Sequence, residues 1–139
     1  MGEKNKDAKE IIKDNLDYMS ENHKEIYDAY KNYGKLIHEK GGPLDEKTRW
    51  LIKVALSTEA QYPYALRTHI QKALNCGCSK EEIEHAILLV APTAGFPKTM
   101  EGLLVLRDIL ADQENWPGKL SCSLFPSRPT EIRTKDVYL

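Results

Sequence analysis

Cysteine is scarce in this chain: three in 139 residues, an odd number that suggests no disulfide framework. Cys76-Gly77-Cys78 is set too close for the usual zinc knuckle and has no second pair, so no metal site is expected. Charge of one sign is also missing. Lys plus Arg number 20 against 21 Asp plus Glu, a net charge of −1, so nothing argues for a nucleic-acid partner. No apolar run approaches the length of about 18 residues that a membrane span needs. The Lys/Glu/Asp-rich start contains no apolar signal core, and the expectation is a soluble, cytoplasmic protein with no membrane partner. Strand-like alternation is absent over any useful length. So are a Gly-rich phosphate loop, a dinucleotide fingerprint, a zincin motif and a nucleophile elbow, and no cofactor is expected.

What is present is helical periodicity, which sets the fold class as all-α. Ile11, Ile12, Leu16, Met19, Ile26, Tyr27 and Tyr30 recur three to four apart, predicting helix over 5–33 with an interruption near Gly34. Gly41-Gly42-Pro43 reads as a turn. Asp45 is placed to cap the next helix, whose stripe is Leu51, Ile52, Val54, Ala55 and Leu56. Pro63 ends that helix near Tyr62 and suits the first turn of another, which stops at Asn75-Cys76-Gly77. Ser79-Lys80-Glu81-Glu82 has capping-box spacing and opens an apolar helix through Val90. After Pro92 and Gly95 a last helix runs from about Phe96 to Ala111, with Met100, Leu103, Leu104, Leu106 and Ile109 expected inward. The pattern fades after Asp112. The reading is one helical domain over 1–112 and a C-terminal tail or arm over 113–139.

Several of these pieces occur in a recognisable order. Asp45-Glu46-Lys47-Thr48-Arg49 precedes a helix. Arg67-Thr68-His69-Ile70 follows, then Ala73-Leu74-Asn75-Cys76-Gly77-Cys78-Ser79-Lys80-Glu81-Glu82-Ile83, then Ala94-Gly95-Phe96-Pro97. The order resembles the carboxymuconolactone decarboxylase family, within the alkyl hydroperoxidase D-like superfamily, over roughly 20–112. The resemblance implies a helical domain with a paired-helix core, assembled as a trimer or hexamer of identical chains. It also implies one of two chemistries. One is decarboxylation of an unsaturated lactone acid. The other is peroxide reduction by a Cys-x-x-Cys pair, with a glutamate and a histidine relaying protons. The cysteine positions fall on Tyr62 and Ala65, and the relay glutamate position falls on Trp50. Neither Tyr62 nor Ala65 supplies a thiolate, so peroxidase chemistry of the family type is not expected. The histidine, His69, carries over.

The candidate catalytic residues are His69, Tyr62 and Glu59. His69 titrates near neutral pH and suits a general acid or base; the plainer reading is a helix histidine satisfied by a neighbouring carbonyl or carboxylate. Seven helical residues at about 100° each bring Tyr62 almost over His69, so its phenol is placed to donate to a substrate oxygen or to sit at an interface. Glu59, one turn earlier, either replaces the missing relay carboxylate or is a solvated helix-end residue. Arg67 and Arg49 are the natural clamps for a substrate carboxylate, or partners in ion pairs. His85 reads as a packed residue paired with Glu81, and Cys76 and Cys78 as structural thiols. Three functions follow. The first is a cofactor-free decarboxylase of a small unsaturated carboxylated lactone or related acid, with His69 moving the proton. The second is a non-catalytic oligomeric scaffold or binding module. The third is residual thiol redox activity at Cys76 and Cys78.

Overall fold

The structure is a computed structural model and describes residues 6–114. It is all-α. The described residues form seven helices: α1 (Ala8–Asn22), α2 (Lys24–Lys40), α3 (Glu46–Ala60), α4 (Pro63–Asn75), α5 (Lys80–Leu88), α6 (Ala91–Ala94) and α7 (Phe96–Glu114). Two compact units divide near Pro43, one holding α1 and α2 and the other α3 to α7.

In the first unit the helix breaks at His23 and not at Gly34. His23 leaves helical geometry at φ −137°, ψ 48°, and its N–H still donates to the Met19 carbonyl. The Asn22 side chain donates to the Tyr18 carbonyl at 2.9 Å. Gly34 lies inside α2, where glycine costs about 1 kcal/mol relative to alanine without ending a helix. No residue of α1 is buried, and His38 is the only buried residue of α2. Lys13 and Asp17 pair along the solvated face at 2.6 Å, and Lys24 pairs with Asp28.

The second unit holds the core. Val54, Ile70, Ile83, Ile87, Leu106 and Thr99 are its largest fully buried side chains. Local signals set its helix ends. Asp45 Oδ1 accepts the Thr48 N–H at 2.8 Å and caps α3. At the far end Tyr62 N–H reaches the Ser57 carbonyl and Gln61 N–H the Thr58 carbonyl, a Schellman turn with Gln61 in the left-handed region at φ 56°. Pro63 then opens α4. The end of α4 repeats the motif, with Cys78 N–H on Ala73, Gly77 N–H on Leu74, and Gly77 at φ 96°. Ser79 and Glu82 close the expected capping box on α5.

Helix α7 buries Leu106 and Ile109 as expected, but the rest of its inward face is not the apolar one. Thr99, Gly102, Leu106 and Ile109 face the core, while Met100 and Leu104 are exposed. The reason is close approach. A Cβ on Gly102 would lie 2.7 Å from Thr58 Cγ2 and 3.0 Å from Ile87 Cγ2, so only glycine lets α7 settle against α3 and α5 there. Thr99 completes the face by donating its hydroxyl to the Ile87 carbonyl at 3.0 Å.

Candidate functional site

Helices α3 and α4 pack side by side and enclose a polar cluster built from both. From α3 come Trp50, Lys53 and Ser57, spaced three and four apart on one face. From α4 come His69 and Lys72, three apart. Trp50, Ser57 and His69 are buried, while Lys53 and Lys72 are half-buried.

His69 is held at Nδ1. Its Nδ1 is 2.6 Å from Ser57 Oγ and 3.2 Å from the Lys53 carbonyl oxygen. The carbonyl can only accept, whereas the hydroxyl can do either. A proton on Nδ1 satisfies both contacts; a bare Nδ1 would set its lone pair against that of the carbonyl. These two contacts favour a proton on Nδ1. The backbone of Ser57 is held as well, since its carbonyl accepts the Tyr62 N–H in the turn that follows.

Trp50 is the floor of the cluster. Its ring and the His69 ring are 5.9 Å apart between centroids, tilted by 38°. Lys53 Nζ lies 4.9 Å from the same centroid and Lys72 Nζ 5.9 Å, so two cations share one indole. Burial disfavours the charged form of Lys53, and the neighbouring Lys72 adds like-charge repulsion. Together they bring its pKa down to about 8. The cluster thus offers a histidine of fixed orientation and an amine that is partly neutral near physiological pH.

The other candidates lie elsewhere. Tyr62 sits outside α4, at φ −99°, ψ 87°, and is exposed. The shared face with His69 therefore stops at Pro63, because the left-handed Gln61 turns the chain before the helix begins. Glu59 is exposed and pairs with Lys98 of α7 at 3.1 Å. Arg67 is committed to α7 through Asp108, with Asp112 at 3.9 Å. Arg49 donates from Nη1 to the Leu44 carbonyl at 2.7 Å, and its Nε is buried with no hydrogen-bond partner. His85 is exposed. Lys53, Ser57 and Lys72 are missing from the residues expected on sequence, although their spacing against Trp50 and His69 was available as a signal.

The thiols differ in kind. Cys78 is buried and directs Sγ toward the Lys47 carbonyl at 3.8 Å; Cys76 directs its own toward Ala73 at 3.3 Å. Burial, with Cys76 close by, pushes the Cys78 thiol up to about 12. Burial raises Cys76 too. Neither has the thiolate character that redox chemistry requires. Cys122 lies outside the described residues. Among the described residues no group of His, Cys, Asp and Glu is placed to hold a metal ion, and no helix is long and apolar enough to cross a membrane.

Comparison with known proteins adds an independent line. The model of the carboxymuconolactone decarboxylase family matches residues 24–108, more than half of the chain. An uncharacterized protein of Methanocaldococcus jannaschii is 24% identical over 106 residues, covering 76% of this chain and 98% of that protein. "Uncharacterized protein 4 in cox locus" of Paracoccus denitrificans is 31% identical over 87 residues, covering 60% of this chain and 78% of that protein. No solved structure matches.

Proposed function

The chain belongs to the carboxymuconolactone decarboxylase family, and on that premise we propose that it is a cofactor-free decarboxylase of a small unsaturated carboxylated lactone or related acid. The observation that carries the reading is His69, buried and held at Nδ1 by Ser57 and the Lys53 carbonyl, with two lysines on the adjoining indole. In the reaction the bond to the departing carboxylate breaks and its electron pair stays on carbon, delocalised onto a conjugated carbonyl oxygen. Positive charge at Lys72 favours that developing anion. Imidazolium at His69 then gives its Nε2 proton to carbon and recovers one from water. Arg67 and Arg49 have no part in this account, because Arg67 is held by Asp108 and Arg49 by the Leu44 carbonyl.

The test is a screen of unsaturated carboxylated lactones and related acids for carbon dioxide release, followed by H69Q. Glutamine preserves hydrogen bonding and cannot titrate. Turnover abolished by H69Q with fold retained supports the reading; turnover untouched by H69Q overturns it.

A second reading is an oligomeric scaffold, and one observation favours it. Phe96, Met100 and Leu104 recur every fourth residue along α7 and are all exposed, opposite the buried face of the same helix. A helix apolar on two faces and covered on one calls for a partner surface. The proposed partner is a second copy of this chain, in a trimer or a trimer-based hexamer. Light scattering at micromolar concentration should return a multiple of the 15.9 kDa chain mass, and a single-chain mass removes the assembly. The two readings are compatible. They part only if no acid turns over.

A further inference from the structure

We propose that α2 pairs with the α2 of a second copy of this chain, antiparallel about a two-fold axis, through an exposed stripe of Ile26, Tyr30, Tyr33 and Ile37. The contact goes beyond the α7 assembly: it lies in the other unit and does not depend on that face.

The stripe follows from spacing. Its positions are four, three and four apart, and at about 100° per residue they fall within a band of about 60° on the helix. That is the repeat of a helix–helix seam. Ile26 is 64% exposed, Tyr30 49%, Tyr33 61% and Ile37 51%. The covered face of α2 lies about a quarter-turn away, where Tyr27, Lys31 and Gly34 are half-buried and His38 is buried. Charge stays off the stripe between its two isoleucines. Lys24, Asp28 and Lys35 lie on the opposite side of the helix, and Lys24 pairs there with Asp28.

Two observations name the occupant. The first is order. Read from either end the stripe is Ile, Tyr, Tyr, Ile at the same spacing, symmetric about the peptide bond between Lys31 and Asn32. A two-fold contact requires a surface that complements itself, and this one does so when the helices run antiparallel. Ile26 then meets Ile37 of the second copy, and Tyr30 meets Tyr33. Within one chain the Tyr30 and Tyr33 rings lie 6.5 Å apart between centroids, tilted by 44°, so the axis gathers four rings at the centre of the contact. The second observation is area. With Leu36, 47% exposed beside the stripe, these side chains expose about 500 Å² per chain, so a pair has about 1,000 Å² to cover, the size at which a specific interface begins. A three-fold contact through α7 and a two-fold contact through α2 together close as a hexamer.

Two measurements on the full-length chain test this. Light scattering compares the unmutated protein with Y30E/Y33E and with M100E/L104E. All four substitutions fall at exposed positions, and circular dichroism checks that the helices are kept. Y30E/Y33E should halve the mass, because like charges then meet at the axis. M100E/L104E should leave a two-chain particle. A single-chain mass for the unmutated protein, or a mass that Y30E/Y33E leaves unchanged, overturns the proposal. The two assemblies fail separately. An unmutated dimer that M100E/L104E leaves intact removes the α7 contact and keeps this one. An unmutated trimer that Y30E/Y33E leaves intact does the reverse. Orientation is read by mixing the I26C and I37C proteins, oxidising with diamide and mapping the linked peptides by mass. Links between the two proteins should exceed links between two copies of I26C by at least about tenfold, since like positions lie about 16 Å apart along the axis, beyond disulfide reach. Links chiefly between like positions overturn the antiparallel pair.

Discussion

Helix α4 carries His69 near its middle and hands the chain to Cys76 and Cys78 at its end, and both regions bury groups that can titrate. At the first, burial and a like charge bring Lys53 down to about 8. At the second, burial and a neighbouring thiol push Cys78 up to about 12. The same low-polarity surroundings favour the neutral form in both cases. For an amine the neutral form is the nucleophile. For a thiol it is the unreactive form. Burial therefore favours the uncharged form in both places, an amine in one and thiols in the other. The positions that the resemblance gives to thiols hold Tyr62, just ahead of α4, and Ala65, in its first turn, while Cys76 and Cys78 sit where burial raises their pKa.

The largest expected effect falls on His69. With any acid that the protein turns over, H69Q should lower the rate about a hundredfold or more, the usual scale for losing a general acid or base. Circular dichroism and oligomer mass should stay unchanged. Full activity in H69Q would leave the Trp50 face chemically as silent as the thiol turn. Next comes Ser57. S57A removes the hydroxyl 2.6 Å from a buried imidazole nitrogen and should cost about 1–3 kcal/mol in denaturant unfolding, the range for a buried polar group that loses a partner. No change in stability would mean that the hydroxyl is not what holds the ring.

A subtler effect concerns pH. Below about pH 8 Lys53 is charged in both folded and unfolded chains, and its burial penalty is fully present. Between about 8 and 10.5 the unfolded chain keeps a proton that the folded chain has lost, so this group makes stability rise with pH across that window. K53M should flatten the rise. An unchanged slope in K53M would place the lysine in water. The smallest effect belongs to the other region. C76S and C78S should leave dithiol-dependent peroxide turnover at the free-thiol background, where the unmutated protein already stands. Turnover that appears in the unmutated protein and vanishes in either variant would give the Cys76-Gly77-Cys78 turn a chemistry that its burial argues against.

The parts of this architecture that local chemistry decides could be read in advance. Asp45 ahead of Thr48, proline at 63 and serine ahead of Glu82 each carry their own hydrogen-bonding reason for a helix to begin. The break at His23 carries none. There the His23 backbone leaves helical geometry while its N–H keeps the helical bond to Met19, and the Asn22 side chain adds a bond to the Tyr18 carbonyl. The inward face of α7 was legible in part: Leu106 and Ile109 are buried as expected, but a glycine and a threonine complete the face, while Met100 and Leu104 point away. The site divides in the same manner. His69 and Trp50 were marked by resemblance. Lys53, Ser57 and Lys72 gain their meaning from packing across two helices, and their charges read as an ordinary solvated pattern along either helix alone. Arg67 looked like a substrate clamp until α7 brought Asp108 to it.

The contrast between the two regions is tested most directly by labelling both in one native sample at pH 8. A trace of acetic anhydride reports amines and iodoacetamide reports thiols, and each modified peptide is quantified against the same protein unfolded in guanidinium. Lys53 should be acetylated well ahead of exposed Lys9 and Lys80, while Cys78 should remain almost unmodified until the chain unfolds. Acetylation of Lys53 no faster than of those lysines, together with rapid native alkylation of Cys78, would contradict the account.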